Sequence, residues 1–273
     1  MRINTNMAAI NAHRNMTVNV SNAGKSMEKL SSGSAINRAA DNASGLAISE
    51  KMRGQIRGLE QAQKNSQDGI SMIQTAEGAL NETHSILQRV RELAVNASNG
   101  TNAAEDKQAI QDEIGQLTEE MNSISSKTEF NGTKLLDGSL DVSLQTGANA
   151  GEQVSLQVLQ DMSATGLGIE GIDVTAWAGP ADFDTAIETI DTAINTVSSE
   201  RSKLGAMQNR LDHTINNLAT TAENTTAAES RIRDTDMAKE MMSFQKNNIL
   251  NQAAQAMMSQ ANQQPQGVLQ LLR

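Results

Sequence analysis

Between residues 16 and 30 the apolar positions Met16, Val20, Ala23, Met27 and Leu30 recur at alternating steps of four and three. That spacing draws one stripe along a helix and is the seam of a helix that packs on other helices. The stretch SSGSAINRAADNASG (31–45), with its glycines and serines, interrupts the pattern, and a second run starts near Leu46. It places Met52, Ile56 and Leu59, then Ile73, Ala76, Leu80, Leu87, Val90 and Ala94 on one face. NASNGTN (96–102) ends that run, with Gly100 as breaker. Asn102 followed three residues later by Glu105 reads as the capping box of a third helix, whose stripe is Ile110, Ile114, Leu117, Met121 and Ile124.

The period then changes. FNGTKLLDGS contains an Asn-Gly pair, a strong turn signal. DVSLQ (141–145) and QVSLQV (153–158) alternate Val or Leu with polar residues at period two, and with TGANAGE between them they predict a β-hairpin. Residues 160–181 show no period. Helix returns after Pro180 with Ile187, Ile190, Ile194, Val197 and Leu204, continuing through Met207, Leu211, Ile215 and Leu218. A last helix is expected over about 235–262, with Leu250, Ala254, Met257 and Ala261 in heptad step. Helices from both chain ends thus flank a short β-containing centre. The predicted fold is mostly α: a long antiparallel, coiled-coil helical bundle of N- and C-terminal segments with a small central β-hairpin region.

Composition sharpens this picture. Aromatic residues are about 1% of the chain, namely Phe130, Phe183, Phe244 and Trp177. Aromatic side chains normally supply much of a compact core, so slender helices packed through Ala, Met, Ile and Leu are expected instead. Proline occurs only at positions 180 and 265, which leaves nearly the whole chain free to be helical. The formal net charge of −10 argues against nucleic acid as a partner. There is no cysteine, hence no disulfide and no thiolate metal site. MRINTNMAAIN lacks the apolar run of a secretory signal, and no stretch is apolar enough to insert in a membrane, so these rules alone predict a soluble cytosolic protein.

Candidate chemistry is sparse. GLGIEG (166–171) fits the dinucleotide fingerprint, but IDVTAWAGP follows where a helix must begin to bind pyrophosphate, so the segment reads as a loop. His13, His84 and His213 are scattered and share no metal-ligand spacing. Asp234 and Asp236 in RDTD read as linker acids. No catalytic constellation and no cofactor follow from the residues. One feature asks for a purpose: the chain closes on QQPQGVLQLLR, where Val268, Leu269, Leu271 and Leu272 crowd a polar protein.

Long stretches carry a family resemblance. KLSSGSAINRAADNASGLAISEKMRGQIRGLEQAQKNSQDGISMIQTAEGAL (29–80) resembles the N-terminal signature of bacterial flagellin, as do LQRVRELAVNASNGT (87–101) and TEFNGTKLLDG (128–138). LGAMQNRLDHTINNL, AAESRIRDTDMAKEM and QANQQPQGVLQLLR resemble its C-terminal half. The similarity covers about residues 1–140 and 183–273, with wording closest to flagellins of Bacillus-like Gram-positive bacteria. Two departures stand out: Ser34-Ala35 where the family commonly has Leu-Arg, and Asp41-Asn42 where it commonly has two aspartates.

The resemblance implies a non-enzymatic structural subunit. It would be exported through the flagellum's own type III apparatus and polymerise into the extracellular filament used for swimming, which overrides the cytosolic expectation. Residues 1–44 and 235–273 would form the filament core. Residues 45–140 with 181–234 would form a helical bundle, and 141–180 a short surface-exposed segment. Met16, Val20, Met27, Leu30, Leu250, Met257, Val268, Leu269, Leu271 and Leu272 would pack that core, and the terminal helices would order on assembly. Implied partners are further copies of the chain, a secretion chaperone, and the filament-cap and hook-filament junction proteins. The host Toll-like receptor that senses flagellin would read Arg89, Leu93 and Glu113. A junction-type flagellar protein and a cytoplasmic helical signalling bundle are the alternatives.

Overall fold

The computed structural model describes residues 6–158, 160–177 and 180–271, the side chains of 180 and 264–271 excepted. Among the described residues are five helices: α1 (Met7–Ser32), α2 (Ala43–Ala97), α3 (Ala104–Lys127), α4 (Pro180–Arg233) and α5 (Met237–Leu271). Between α3 and α4 lie two antiparallel strand pairs, β1 (Glu129–Phe130) with β2 (Thr133–Lys134), and β3 (Leu140–Gln145) with β4 (Gln153–Val158). The mostly helical class and the central hairpins agree with the sequence pattern. Packing divides the chain into two units, Met1–Gln55 with Glu223–Arg273 and Ile56–Ala222. Both divisions fall inside helices rather than at the breaks near 44 and 234.

In the first unit α1 and α5 run antiparallel. Asn6 Nδ2 donates to the Ala261 carbonyl (2.7 Å) at one end, while Ser34 bridges Asp234 at the other. There Ala35 N–H donates to the Arg233 carbonyl (2.6 Å) and Thr235 N–H to the Gly33 carbonyl (3.0 Å). Gly33 terminates α1 at φ +70°, a left-handed C-cap that glycine adopts without steric cost. The Asn42 departure has a plain role: its Oδ1 accepts from the Gly45 N–H (2.9 Å) and the Ser44 hydroxyl, capping α2 as an aspartate would. Asp41 turns back on its own linker, accepting from the Asn37 and Arg38 N–H groups. Asp236, read as a bland linker acid, caps α5 by accepting from the Ala238 and Lys239 N–H groups.

The second unit holds the hydrophobic core. Leu80, Leu87, Val90 and Ala94 of α2, Ile114 and Met121 of α3, and Ile190, Val197, Leu204 and Leu211 of α4 are buried together. The start of α3 departs from expectation. Its cap position is Ala103, whose N–H donates to the N3 carboxylate Asp106 (3.0 Å), while Asn102 Nδ2 donates to the Asn96 carbonyl (2.7 Å) and closes the preceding turn. Asn131 (φ +50°) and Gly132 (φ +80°) form the tight β1–β2 turn that the Asn-Gly pair announces.

Residues 141–180 are not simply a surface decoration. Val154, Leu156 and Val158 alternate into the core, and Met162, Ala164, Leu167, Ile169 and Val174 from the aperiodic stretch are buried with them. The tip of the β3–β4 hairpin also rests on α2: a Cβ on Gly58 would stand 2.9 Å from the Ala148 Cβ, and Asn65 Nδ2 donates to the Gln145 carbonyl. GLGIEG is a turn. Gly168 sits at φ +75°, and the N–H groups of Leu167, Gly168 and Ile169 return to Ser163, Thr165 and Ala164.

Candidate functional site

The feature that sets this molecule apart is the way α1 and α5 distribute side chains by size. Along α1 the less exposed positions are Ala9, Ala12, Met16, Asn19, Ala23, Ser26 and Leu30, stepping three and four. Along α5 they include Phe244, Asn247, Asn251, Ala254, Met258 and Ala261. The contact between the two helices is therefore built largely from alanines, amides and one buried serine. Small residues let two helices approach, but they remove little apolar area from water. Asn251 Oδ1 is even buried there without a hydrogen-bond partner, an arrangement that costs rather than adds stability.

The large apolar side chains face the other way. Val20 (50% exposed) and Met27 (51%) lie one position off the seam, which runs through Asn19 and Ser26 instead. Leu250 and Met257 are likewise displaced from it by Asn251 and Met258, while Ala254 and Ala261 sit where expected. Met16 and Leu30 are half-buried in the seam. Val20, Met27, Leu250 and Met257 thus lie beside the α1–α5 seam rather than within it. With Met7, Ile10 and Val18 on α1, and Met237, Met241, Met242 and Ile249 on α5, they leave an outward apolar surface. Part of it is a shallow groove lined by Met241, Met242, Gln245, Lys246, Ile249 and Leu250. Leu272 and the side chains of Val268, Leu269 and Leu271 lie outside the described residues.

Of Arg89, Leu93 and Glu113, only the two charged residues are at the surface. Arg89 Nε and Nη2 both donate to Glu113 Oε1 (2.9 and 2.8 Å), and Nη1 donates to Glu92 Oε2 (3.2 Å). The hydrogen bonds it donates to Glu113 first, then to Glu92, hold the guanidinium pKa above its ordinary value. Arg89 and Glu113 are exposed neighbours on α2 and α3, but Leu93 is only 4% exposed and belongs to the core. Beside them Arg91 Nε donates to Asp191 Oδ1 of α4 (2.7 Å), tying two helices by a surface pair that spacing did not reveal.

Among the described residues no group of three or more His, Asp or Glu could hold a metal, and no helix is long and apolar enough to cross a membrane. His84 meets only Gln88 of its own helix.

Comparison with known proteins accounts for this design. The bacterial flagellin N-terminal helical region matches residues 3–141, and the flagellin C-terminal helical region matches 187–272. Flagellin of Halalkalibacterium halodurans is 60% identical over the full length of both chains, and that of Bacillus subtilis 59%, again over both in full. The crystal structure of Bacillus cereus flagellin is 34% identical and superposes with a TM-score of 0.50 over 61% of this chain and 94% of its own. A flagellar hook-associated protein of Vibrio parahaemolyticus shares the fold (TM-score 0.60) at 14% identity, covering 71% of this chain and 100% of its own. An outward apolar surface on the two terminal helices is what a subunit that builds a polymer of itself requires, and the chain belongs to the bacterial flagellins, the structural subunits of the flagellar filament.

Proposed function

We propose that the outward stripes of α1 and α5 are the surface through which copies of this chain polymerise. The observation that carries this reading is the inversion of size: alanines and amides between the two helices, large aliphatics outside. A pair so thinly joined gains most of its burial from neighbouring subunits, so the terminal helices consolidate on assembly. Residues 1–44 and 235–273 form the filament core in this reading. Residues 45–140 and 181–234 form the helical bundle, and 141–180 its outer segment. The chain reaches the outside through the flagellar type III apparatus, attended by a secretion chaperone, the cap and the hook-filament junction proteins.

Arg89 and Glu113 form the exposed part of a patch for the host Toll-like receptor that senses flagellin, with Leu93 supporting them from below. Charged residues at such a patch suit an interface contact. Arg89→Ala in soluble monomer should lower receptor-reporter signalling, and unchanged signalling removes Arg89 from the patch. Leu93→Ala is a poorer probe, because it opens a core cavity.

Polymerisation is tested with Leu250→Glu and Met257→Glu, each a charge placed on the outward stripe. Neither should form filaments under seeding conditions that polymerise the parent, while the melting of the second unit is unchanged. Filaments of normal length from both variants would overturn the reading.

A further inference from the structure

The outward stripes are made of methionine to an unusual degree. Nine described methionines lie in the first unit, and six of them, Met7, Met27, Met237, Met241, Met242 and Met257, are exposed, Met242 at 68% and Met257 at 61%. The second unit treats methionine in the opposite way: Met72, Met121 and Met162 are buried and Met207 is half-buried. Leucine would supply about the same apolar area on a helix and propagate it equally well. The thioether differs in chemistry. Its sulfur carries a lone pair that accessible oxidants attack.

We infer that the exposed methionines of α1 and α5 are an oxidation site whose modification prevents subunits from joining the filament, an inference that rests on the assembly surface proposed above. The oxidant is hydrogen peroxide. The sulfur lone pair attacks one peroxide oxygen, the O–O bond breaks, that oxygen stays on sulfur as the sulfoxide and the other leaves as water. Sulfur loses two electrons and the peroxide gains them.

Each event turns an apolar contact into a polar one on the surface that must be dried for assembly. The second unit is spared because its methionines are covered, so an oxidised subunit keeps its core and loses only its ability to join. Burial by neighbours shields the same sulfurs, so a subunit is vulnerable before incorporation and protected after it. Because the two sulfoxide reductases, one for each epimer and recycled by a dithiol, return the sulfoxide to the thioether, the block is reversible.

The test treats full-length monomer and preformed filament with hydrogen peroxide, maps sulfoxides by peptide mass spectrometry, and follows seeded polymerisation by light scattering. Monomer should be oxidised first at Met242 and Met257, with Met121 and Met162 spared, and should elongate seeds about tenfold or more slowly. Filaments should resist at the same positions. Treatment with both sulfoxide reductases and a dithiol should restore elongation. A variant with all six exposed methionines, Met7, Met27, Met237, Met241, Met242 and Met257, replaced by leucine should polymerise after peroxide as before it. Met242→Gln, a polar side chain of similar length, separates the two readings without any oxidant. If M242Q polymerises normally, the assembly surface itself is misplaced. If M242Q is blocked but fully oxidised monomer elongates at the parent rate, the oxidation inference alone is overturned.

Discussion

The two units of this chain use the same secondary structure for opposite ends. In Ile56–Ala222 the helical stripes meet one another, and the largest side chains, such as Leu80, Leu87, Met121 and Leu204, vanish from the surface. In the unit formed by the two chain ends, alanines and amides make much of the contact beside Met16, Leu30, Phe244 and Met258, and many large aliphatic residues stay outside. The lesson is that an amphipathic helix declares how much apolar surface it must bury, but not which molecule will bury it. One unit buries its large side chains within the chain, whereas the other leaves many of its own exposed.

The strongest way to break that comparison is to delete the same side chain in both units. Leu87→Ala, at a fully buried position, should cost about 2–5 kcal/mol in denaturant unfolding of the second unit. Leu250→Ala should change monomer stability by no more than about 0.5 kcal/mol while raising the critical concentration for polymerisation. Comparable losses of monomer stability in both would erase the distinction.

A second probe concerns the hairpin tip on α2. Gly58→Val meets Ala148 with no flexible side chain to give way, so it should destabilise the second unit by about 1–3 kcal/mol. Gly54→Val on the same helix has open space at its Cβ and serves as the control. A tag in place of residues 147–151 should likewise loosen the tip, visible as faster hydrogen exchange around Asn65. Equal stability of the two glycine variants would show the tip to be free.

A smaller effect is expected from Arg91→Ala, which removes the Asp191 pair across α2 and α4. Both partners are half-exposed, so only a small loss is expected, smaller still at high salt, as measured by thermal melts at two ionic strengths. The smallest concerns Asp41. The Arg38 N–H first, and the Asn37 N–H second, hold its carboxyl below the ordinary value. Its folded pKa lies under its unfolded one, so the contribution is complete above the unfolded value and lost as pH falls through the folded one. Asp41→Asn should flatten the acid side of the 37–42 linker's stability, followed by amide exchange, and leave neutral pH nearly untouched.

The sequence made the second unit largely legible, because Leu80, Leu87 and Val90 keep step with a helix whose partners are in the same chain. The β-hairpins were legible too, through period two in QVSLQV and the Asn131-Gly132 turn. Residues 160–177 were not: Met162, Leu167, Ile169 and Val174 are placed by individual backbone hydrogen bonds, such as Met162 N–H to the Leu136 carbonyl and Val174 N–H to Gln111 Oε1, which leave no period. The α3 cap was misread because two acids, Glu105 and Asp106, compete for one role and only the backbone path decides. On α1 the period was legible but not the seam's exact register, which runs through Asn19 and Ser26 beside Val20 and Met27. The burial of Leu93, which neighbours the stripe residues Val90 and Ala94, could have been read from the α2 stripe itself.

The pins at the two ends of the α1–α5 contact have a consequence for how such a chain can change. Alanines and amides alone would let one helix slide along the other, since each step presents nearly the same surface. Asn6 on Ala261 at one end, and the Gly33–Ala35 exchange with Arg233–Thr235 at the other, fix the span of both helices together. The two terminal segments are thus a matched pair of rulers. An insertion of one turn in either is tolerable only if the other, more than two hundred positions away in the gene, lengthens by the same amount.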